Sequence, residues 1–271
     1  MKDRLTVDPW QTLRQFTGAR IALGRSGASL PTAPLMAFNL AHAQARDAVH
    51  HPFDVDAVDQ RLREAGYETL KVESAAPDRG HYLRRPDLGR RLSEESRARL
   101  NQWQMQHRNA CDVLFVVADG LSAFAAQKQA IPLLSAVVPK LGDLTVGPLV
   151  IASQARVALA DEVGELLGAR IVVMLIGERP GLSSPDSLGI YLTYEPRVGR
   201  SDAERNCISN VRPEGLPHGA AAFKLHYLLT HAFRLGVTGV HLKDGSAAIA
   251  EEEPTALHGP DIADQASIDR R

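Results

Sequence analysis

Residues 171–182 read I-V-V-M-L-I-G-E-R-P-G-L, an uninterrupted apolar run followed by glycines, charges and a proline. A short continuous apolar run indicates a strand that is buried on both faces, as in a parallel sheet covered by helices. The loop that follows, Gly177-Glu178-Arg179-Pro180-Gly181, places one acid and one base between two glycines. On this stretch alone the loop has two interpretations of equal weight, a plain turn after a strand or the rim of a binding site.

Further strand and helix patterns surround this run. Apolar or β-rich segments lie at 114–118, 149–151 and 189–194. Helical patterns accompany them, one capped by Ser122, one over 161–167 and a long one over 216–235. Continuous apolar strands that alternate with helices are typical of a parallel sheet covered on both faces. We therefore predict an α/β fold, with a doubly wound, mostly parallel sheet of the Rossmann or flavodoxin-like type.

The chain divides into three regions by pattern. Residues 1–110 have mostly helical patterns, with helices expected over 32–49, 54–65 and from Ser93 to about His107. This helical N-terminal region precedes the α/β domain, which we assign to residues 111–243. Residues 244–271 contain D-G-S-A-A-I-A-E-E-E-P-T and are expected to form a disordered acidic tail.

Composition excludes several classes of protein. The 271 residues carry a formal net charge of −1, and aromatic residues make up 5%. Neither value favours binding to nucleic acid or to an anionic membrane. The two cysteines, Cys111 and Cys207, have no paired spacing, which fits a reducing cytoplasm. No segment has the ~20 apolar residues of a membrane span, and the first residues lack the apolar run of a secretory signal.

Two loops are expected at the carboxyl ends of strands, where ligands bind in open α/β sheets. They are Asp119-Gly120-Leu121-Ser122 and Gly177-Glu178-Arg179-Pro180-Gly181. Glycines let the backbone approach a ligand closely, Glu178 can accept hydrogen bonds and Arg179 can donate them. The alternative is that the glycines only make turns and the charges are solvated.

Two other stretches have both a chemical and a structural interpretation. The basic stretch Arg84–Arg91 could hold a phosphate or an acidic partner, or it could be a solvated helix entrance with Asp87 as counter-charge. Cys207 would need a nearby base to act as a nucleophile, and the sequence gives no sign of one. We therefore expect Cys207 to be a buried residue or one that contributes through its backbone.

Common catalytic motifs are absent from the sequence. It has no Walker A loop, no G-x-G-x-x-G, no G-x-S-x-G and no zinc-ligand spacing. The adjacent His50 and His51 would face apart on a helix and cannot clamp one ion. The chain thus has loops suited to a ligand without an evident acid–base apparatus.

An ordered set of motifs resembles one family. They are G-R-S-G-A-S-L-P-T (24–32), Y-L-R-R-P-D-L-G-R-R-L (82–92), V-V-A-D-G-L-S-A (116–123), I-G-E-R-P-G-L (176–182), Y-E-P-R (194–197) and N-C-I-S-N (206–210). The set is similar to the small (light) chain of adenosylcobalamin-dependent ethanolamine ammonia-lyase over roughly residues 8–240. The stretch after about Lys243 has no counterpart in the resemblance.

The resemblance implies an activity, a cofactor and a partner. The family enzyme converts ethanolamine to acetaldehyde and ammonia by radical chemistry. A large subunit, a (β/α)8 barrel, holds the substrate and most of the catalytic groups, and adenosylcobalamin lies between the two chains. The resemblance therefore implies a hetero-oligomer in which this chain supplies no catalytic residue, with cobalamin contacts in the 111–243 domain.

The resemblance also assigns three cofactor-binding residues, Val157, Glu178 and Cys207. Around Val157 the flanks differ from the family, because Ala155 stands for a usual glycine and Ala158 for a usual lysine. Carboxylate and loop carbonyl groups are suitable acceptors for the amide N–H groups of a corrin. The D-x-H-x-x-G pattern is missing, so we expect the cofactor to keep its benzimidazole and this chain to supply no metal ligand.

Two other functions stay open at this point. One is a self-sufficient α/β enzyme that binds a nucleotide or another phosphorylated ligand at the same strand ends. The other is a non-catalytic assembly scaffold. The sequence leaves open the copy number of the assembly, cobalamin binding without the large subunit, and packaging in a bacterial microcompartment.

Overall fold

A six-stranded mixed sheet organises residues 5–107 and 110–247, the part of the chain that the computed structural model describes. The strands are β1 (Leu5–Thr6), β2 (Arg25–Ser26), β3 (Thr69–Glu73), β4 (Cys111–Ala118), β5 (Leu149–Ser153), β6 (Ala169–Gly177), β7 (Leu188–Tyr194) and β8 (Asn206–Val211). The α-helices are α1 (Thr32–His50), α2 (Val55–Glu64), α3 (Arg79–Arg84), α4 (Glu94–His107), α5 (Ala123–Val137), α6 (Leu159–Leu166) and α7 (His218–Leu235). Short 3-10 turns lie between them, and β1 and β2 form a separate antiparallel pair.

The strand order in the large sheet is β3-β5-β4-β6-β7-β8. The first four strands in this order are parallel, and β7 and β8 add to the edge in antiparallel directions. Ala118 at the end of β4 is paired with Ile176 near the end of β6. The two loops selected from the sequence therefore leave the sheet side by side.

Helices cover both faces of this sheet, as predicted. Phe115 on β4 and Val173 on β6 pack in a core with α2, α5 and α7. Their neighbours Leu114 and Met174 point to the other face and pack with α4 and α6. Because successive side chains of a strand alternate between faces, an uninterrupted apolar run such as β6 fits only a sheet covered on both faces.

The predicted mostly parallel sheet is correct for the centre and wrong for one edge. Between β6 and β7 the chain runs through residues 178–187 without a helix, and between β7 and β8 the only helical element in 195–205 is a 3-10 turn. Parallel neighbours need a long crossover, usually a helix, whereas antiparallel neighbours can be joined by a short loop. The short connections explain why β7 and β8 are antiparallel. The α/β class is confirmed, in the form of a mixed sheet.

The first 110 residues are not only helical. Strand β3 lies within them and pairs in parallel with β5 at the edge of the large sheet. Its five residues, T-L-K-V-E, are too few and too polar to stand out from a helical context. The division into regions at residues 110 and 243 stays a prediction.

The predicted helix caps at Ser93 and Ser122 are confirmed, and Asp54 is a further cap. Ser93 accepts a hydrogen bond from the Ser96 backbone N–H at 3.1 Å, and Ser122 accepts one from Ala125 at 3.1 Å. Asp54 caps α2 in the same way, through Ala57 at 3.0 Å. The Ser122 cap fixes the direction in which the chain leaves the loop after β4.

The two ends of the described chain differ in packing. From residue 5 to residue 50 many apolar side chains are exposed, and Trp10 and Phe16 are 66% and 78% accessible. At the other end, Asp244 pairs with Lys224 at 2.8 Å and Ser246 is buried, so the packed part of the chain extends beyond residue 243. The rest of the predicted tail, residues 248–271, lies outside the described residues.

Over residues 5–107 and 110–247, no helix combines the length and the apolar character that crossing a lipid bilayer requires.

Candidate functional site

A cleft with a volume of about 410 Å³ lies where β4 and β6 end. Its lining combines the backbone of two glycines, apolar and aromatic side chains, and three charged groups. The lining residues are Tyr82, Gly120, Leu121, Arg156, Val157, Ile176, Gly177, Glu178, Arg179 and Tyr191. Both loops selected from the sequence contribute to this lining. Neighbouring loops at the carboxyl ends of strands form ligand sites in many α/β proteins.

The glycines allow the two loops to touch. The Leu121 backbone N–H donates to the Gly177 carbonyl at 2.9 Å. A Cβ on Gly177 would lie 1.9 Å from the Ser122 carbonyl oxygen, and one on Gly120, which has a φ of +53°, would lie 2.2 Å from the Gly177 oxygen. Any side chain at either position would push the loops apart. The glycine turn and the cleft rim are therefore one feature, and the two interpretations of this loop do not exclude each other.

Glu178 is held in a defined position on the rim. Its Oε2 accepts a hydrogen bond from the Ser187 hydroxyl and another, at 3.3 Å, from the Asn210 backbone N–H. Its own backbone N–H donates to the Ser187 carbonyl at 3.0 Å. The neighbours orient the carboxylate but leave it only half-buried, so it can still accept a hydrogen bond from a ligand N–H group.

The next residue, Arg179, has a different environment. Its side chain lines the cleft but is exposed, and it makes no hydrogen bond or ion pair within residues 5–107 and 110–247. Arg179 stays unassigned.

Val157 lies on the opposite wall, in the turn that leads into α6. It lines the cleft, and its carbonyl accepts the Ala160 backbone N–H at 3.1 Å. Val157 and Glu178 thus belong to one cleft although 21 positions separate them in the sequence. That carbonyl is already used once, so Val157 offers mainly its apolar side chain to a ligand.

Cys207 lies at the edge of the cleft. On β8 it pairs with Tyr191 of β7, whose ring lines the cleft. Partial burial of the thiol raises the pKa of Cys207, and the negative charge of Glu178 adds to this, against the opposing effect of the Tyr191 hydroxyl. Cys207 is exposed, so the expectation of a buried residue is wrong, and the alternative of a backbone contribution stays a prediction. A protonated thiol next to a tyrosine is poorly suited to nucleophilic catalysis.

Behind the cleft, two arginines enclose a buried tyrosine. The Tyr82 hydroxyl donates to the Ala155 carbonyl at 3.1 Å. The guanidinium carbons of Arg79 and Arg156 lie 4.7 and 4.3 Å from the centre of its ring. Such cation–π contacts hold both arginines and fix the position of the Arg156 side chain at the cleft surface.

Asp119 joins the loops after β4 and β5. Its buried carboxylate accepts backbone N–H groups of Gly120 at 2.9 Å and of Gln154 and Ala155 at 3.1 Å each, and it pairs with Arg79 at 3.1 Å. Burial raises the pKa of Asp119 to about 6, against the opposing effect of Arg79 and the three N–H groups. The group is therefore ionised at neutral pH, and all of its partners lie within the protein, which indicates a structural role.

The basic stretch Arg84–Arg91 lies behind this wall. Arg85 and Asp87 form an exposed bidentate pair at 2.9 and 2.8 Å, as the solvated interpretation predicts. Gly89 is buried and its carbonyl accepts the Arg156 backbone N–H at 2.7 Å. One part of the stretch therefore supports the cleft wall, and the exposed arginines face solvent.

Tyr82 and Arg156 are the residues that sequence reasoning missed. Tyr82 begins the motif Y-L-R-R-P-D, and Arg156 directly precedes Val157, so both lay within stretches already noted. Their contact joins positions 74 apart and depends on how α3 packs on the loop after β5. Single-sequence patterns carry no information on such a contact.

The cleft suits a ligand with an apolar body and polar groups of both kinds. Glu178 accepts hydrogen bonds, Arg156 and Arg179 donate them, and Leu121, Val157 and Ile176 give apolar surface. Histidine is not among the residues that line it. Within the described ranges, no group of three or more His, Cys, Asp or Glu side chains is arranged to hold a metal ion.

Comparison with known proteins gives a consistent result. The family model described as Ethanolamine ammonia-lyase light chain (EutC) matches residues 7–243. The ethanolamine ammonia-lyase small subunit of Azotobacter vinelandii is 58% identical over 248 residues, which are 90% of this chain and 92% of the relative. The small subunit of Ralstonia nicotianae is 56% identical over 244 residues, 89% of this chain and 90% of the relative. The chain therefore belongs to the ethanolamine ammonia-lyase light chain family.

Proposed function

We propose that this chain is the small subunit of an adenosylcobalamin-dependent ethanolamine ammonia-lyase, a carbon–nitrogen lyase that releases acetaldehyde and ammonia from ethanolamine. In this proposal the cleft forms one wall of a cobalamin site, and the large subunit supplies the other wall and the catalytic groups. One observation carries the assignment of the site. Val157 and Glu178, which the family resemblance assigns to cobalamin, line the same cleft, and Cys207 touches its wall through Tyr191.

The chemistry of the cleft fits a corrinoid. A corrin rim carries amide side chains, each with N–H donors and a carbonyl acceptor, around a largely apolar ring. The cleft offers a carboxylate acceptor at Glu178, a guanidinium donor at Arg156 and apolar contact at Leu121. The Arg156 Nη1 has no acceptor within the described residues and is not buried, so it can donate a hydrogen bond to a ligand in the cleft.

The size of the cleft supports a shared site. Its volume of about 410 Å³ is in the range that holds a drug-sized molecule, and a corrinoid is larger. This chain can therefore enclose only part of such a cofactor. A second chain that closes over the cleft would complete the site and exclude water from it.

Each residue of this chain then has a limited task. When bound, adenosylcobalamin supplies the radical chemistry of the reaction. Glu178, held by Ser187 and Asn210, accepts a hydrogen bond and orients the ligand. Val157 and Tyr191 provide packing surface, and Cys207 supports the Tyr191 ring. No residue of this chain is assigned a proton transfer, and none is assigned as a ligand of cobalt.

The exposed apolar side chains in residues 5–50 fit a protein that works in an assembly. Helix α1 buries little, with Ala41 and Ala48 as its fully buried residues. The arm before it reaches the cleft region, where Arg20 donates to the Leu182 carbonyl at 3.3 Å. Apolar surface of this extent is typical of a protein–protein contact. A cytoplasmic location and packaging in a microcompartment stay predictions.

Reconstitution from separate chains tests the proposal. This chain, the large chain and their mixture are purified and assayed for adenosylcobalamin-dependent release of acetaldehyde from ethanolamine. We expect activity from the mixture alone. Activity of this chain alone would instead support a self-sufficient enzyme. Full activity of the large chain alone would reduce this chain to a scaffold.

A further inference from the structure

We propose that Arg156 is a further cofactor-binding residue, which donates hydrogen bonds to an oxygen of the corrinoid. This inference rests on the proposed function, since it concerns the same cleft. The oxygen belongs to an amide carbonyl of the corrin rim or to the phosphodiester of the nucleotide tail. Both are oxygen acceptors that a guanidinium binds well.

The Arg156 side chain is held in place but its donors are mostly unused. The side chain lines the cleft, and its guanidinium carbon lies 4.3 Å from the centre of the buried Tyr82 ring. A guanidinium has five N–H donors. Here Nη2 makes a long contact of 3.4 Å to the Tyr82 carbonyl, and Nε is buried with no acceptor within residues 5–107 and 110–247. Nη1 also has no acceptor within these residues but is not buried, so Nη1 is the donor that a ligand in the cleft can reach.

Arg79, on the same tyrosine, uses most of its donors within the protein, although its Nη2 is buried without an acceptor among the described residues. Its Nε donates to the Val49 carbonyl at 2.9 Å, and its Nη1 donates to the Gly120 carbonyl at 2.8 Å and to Asp119 at 3.1 Å. Arg156 has no carboxylate within ion-pair distance among the described residues. Both arginines contact the Tyr82 ring. A carboxylate neutralises Arg79, whereas Arg156 lines the cleft without one.

The backbone at Gly89 packs closely against the stem of the Arg156 side chain. A Cβ on Gly89 would lie 2.9 Å from the Arg156 Cγ and 3.0 Å from a Tyr82 ring carbon. The side-chain stem is thus enclosed by Gly89 and Tyr82, and the guanidinium is positioned before a ligand arrives. Preorganised donors of this kind bind more tightly, because little side-chain freedom is lost on binding.

The acceptor and the donor together define the ligand class. Glu178 takes an N–H group and Arg156 gives N–H groups, on one cleft. A ligand that satisfies both carries amide groups, or an amide together with a phosphate. The family resemblance assigned Val157, Glu178 and Cys207, and Arg156 adds a fourth residue with a charge complementary to oxygen acceptors.

The test measures corrinoid affinity in the complex of this chain with the large chain. Equilibrium dialysis with hydroxocobalamin, read by visible absorbance, gives the affinity without a need for turnover. Arg156→Met keeps the stem and removes all donors, and Arg85→Met is the matched control, because Arg85 is exposed and pairs with Asp87. We expect Arg156→Met to weaken binding about tenfold or more, as for a lost charge-assisted hydrogen bond, and Arg85→Met to leave it unchanged.

A second probe separates the two sources of oxygen. Aquacyanocobinamide retains the corrin amides and lacks the nucleotide tail with its phosphodiester. An equal loss with both corrinoids assigns Arg156 to an amide carbonyl, and a loss with hydroxocobalamin alone assigns it to the phosphodiester.

Three outcomes would overturn the inference. The first is unchanged affinity of an assembled Arg156→Met complex. If that variant does not assemble, Arg156→Lys is measured instead, because it keeps the charge and loses the planar guanidinium. We expect Arg156→Lys to bind the corrinoid severalfold more weakly. Unchanged affinity of this variant is the second outcome that would overturn the inference. The third is a wild-type complex that does not bind hydroxocobalamin, which would contradict the proposed function as well.

Discussion

The Arg79 Nη1 lies 3.1 Å from the Oδ2 of Asp119, beneath the wall of the cleft. Asp119 also holds the backbone of the loop after β5, which includes Ala155 and precedes Arg156 and Val157. Burial raises the pKa of this carboxyl to about 6. One ion pair therefore links the loop after β4, the loop after β5 and helix α3, and its state depends on pH.

This pair predicts a specific dependence of stability on pH. The folded chain binds more protons at Asp119 than the unfolded chain between about pH 4 and 6, so this group lowers the free energy of unfolding as pH rises through that window. Relative to that of Asp119→Asn, the free energy of unfolding of the wild type should therefore fall by about 1 kcal/mol between pH 5 and 7. Urea denaturation of both proteins at the two pH values measures the difference. If the free energy of unfolding of the wild type instead rose with pH relative to that of Asp119→Asn, the pKa of Asp119 would be lowered in the folded chain, against this prediction.

Glu178 and its partner on the same loop give a second prediction. Glu178→Ala removes the acceptor and should weaken cobalamin binding by roughly tenfold while the KM for ethanolamine changes little. Ser187→Ala removes a bond that orients the carboxylate and should have a smaller effect on the same affinity. Ser183→Ala is the control, since Ser183 is exposed on this loop and contacts Arg20 only at 3.5 Å. Equal cobalamin affinity of wild type and Glu178→Ala would remove Glu178 from the site.

Much of the sheet follows from the sequence, and the edges show where prediction stops. The apolar runs of β4 and β6 identify central strands because burial on both faces permits almost no polar residue. Strands β3 and β8 lie at the edges, so their sequences T-L-K-V-E and N-C-I-S-N-V are half polar and resemble loops. The antiparallel direction of β7 could have been inferred, because no helix pattern lies in residues 178–187.

The loops of the site were predictable from the sequence, and the contacts between distant residues were not. Loops at the carboxyl ends of β4 and β6 are local features, and the sequence locates them. The contact of Arg156 with Tyr82 depends on the packing of α3 against the loop after β5, which no local pattern encodes. The three residues Val157, Glu178 and Cys207 came from family resemblance, and their shared environment became visible only in the fold.

The thiol of Cys207 provides a third prediction. Partial loss of hydration raises the pKa of this thiol, so it should be mostly protonated at pH 7.5 and react slowly with iodoacetamide although it has accessible surface. The rate should rise roughly tenfold for each unit of pH, following the thiolate fraction below the pKa. Cys207→Ser isolates Cys111, which is buried and whose pKa burial raises to about 11, and should show almost no labelling. Rapid labelling of Cys207 at pH 7 would contradict the protonated state.

Two glycines allow a matched test of the contact between the loops. In Gly177→Ala the new methyl group would meet backbone oxygens of Ser122 and Asp119 at 1.9 and 2.5 Å, and backbone cannot move aside as a flexible side chain can. We expect a loss of about 3 kcal/mol or more in the free energy of unfolding. Gly219→Ala places the same methyl group in the first turn of α7 with nothing within 4 Å, so the smaller conformational freedom of the unfolded chain should stabilise the protein by about 0.4–1 kcal/mol. Chemical denaturation of both variants beside the wild type measures these effects. If Gly177→Ala were as stable as Gly219→Ala, the loops after β4 and β6 would not touch in solution, and the cleft would lose the contact that shapes its rim.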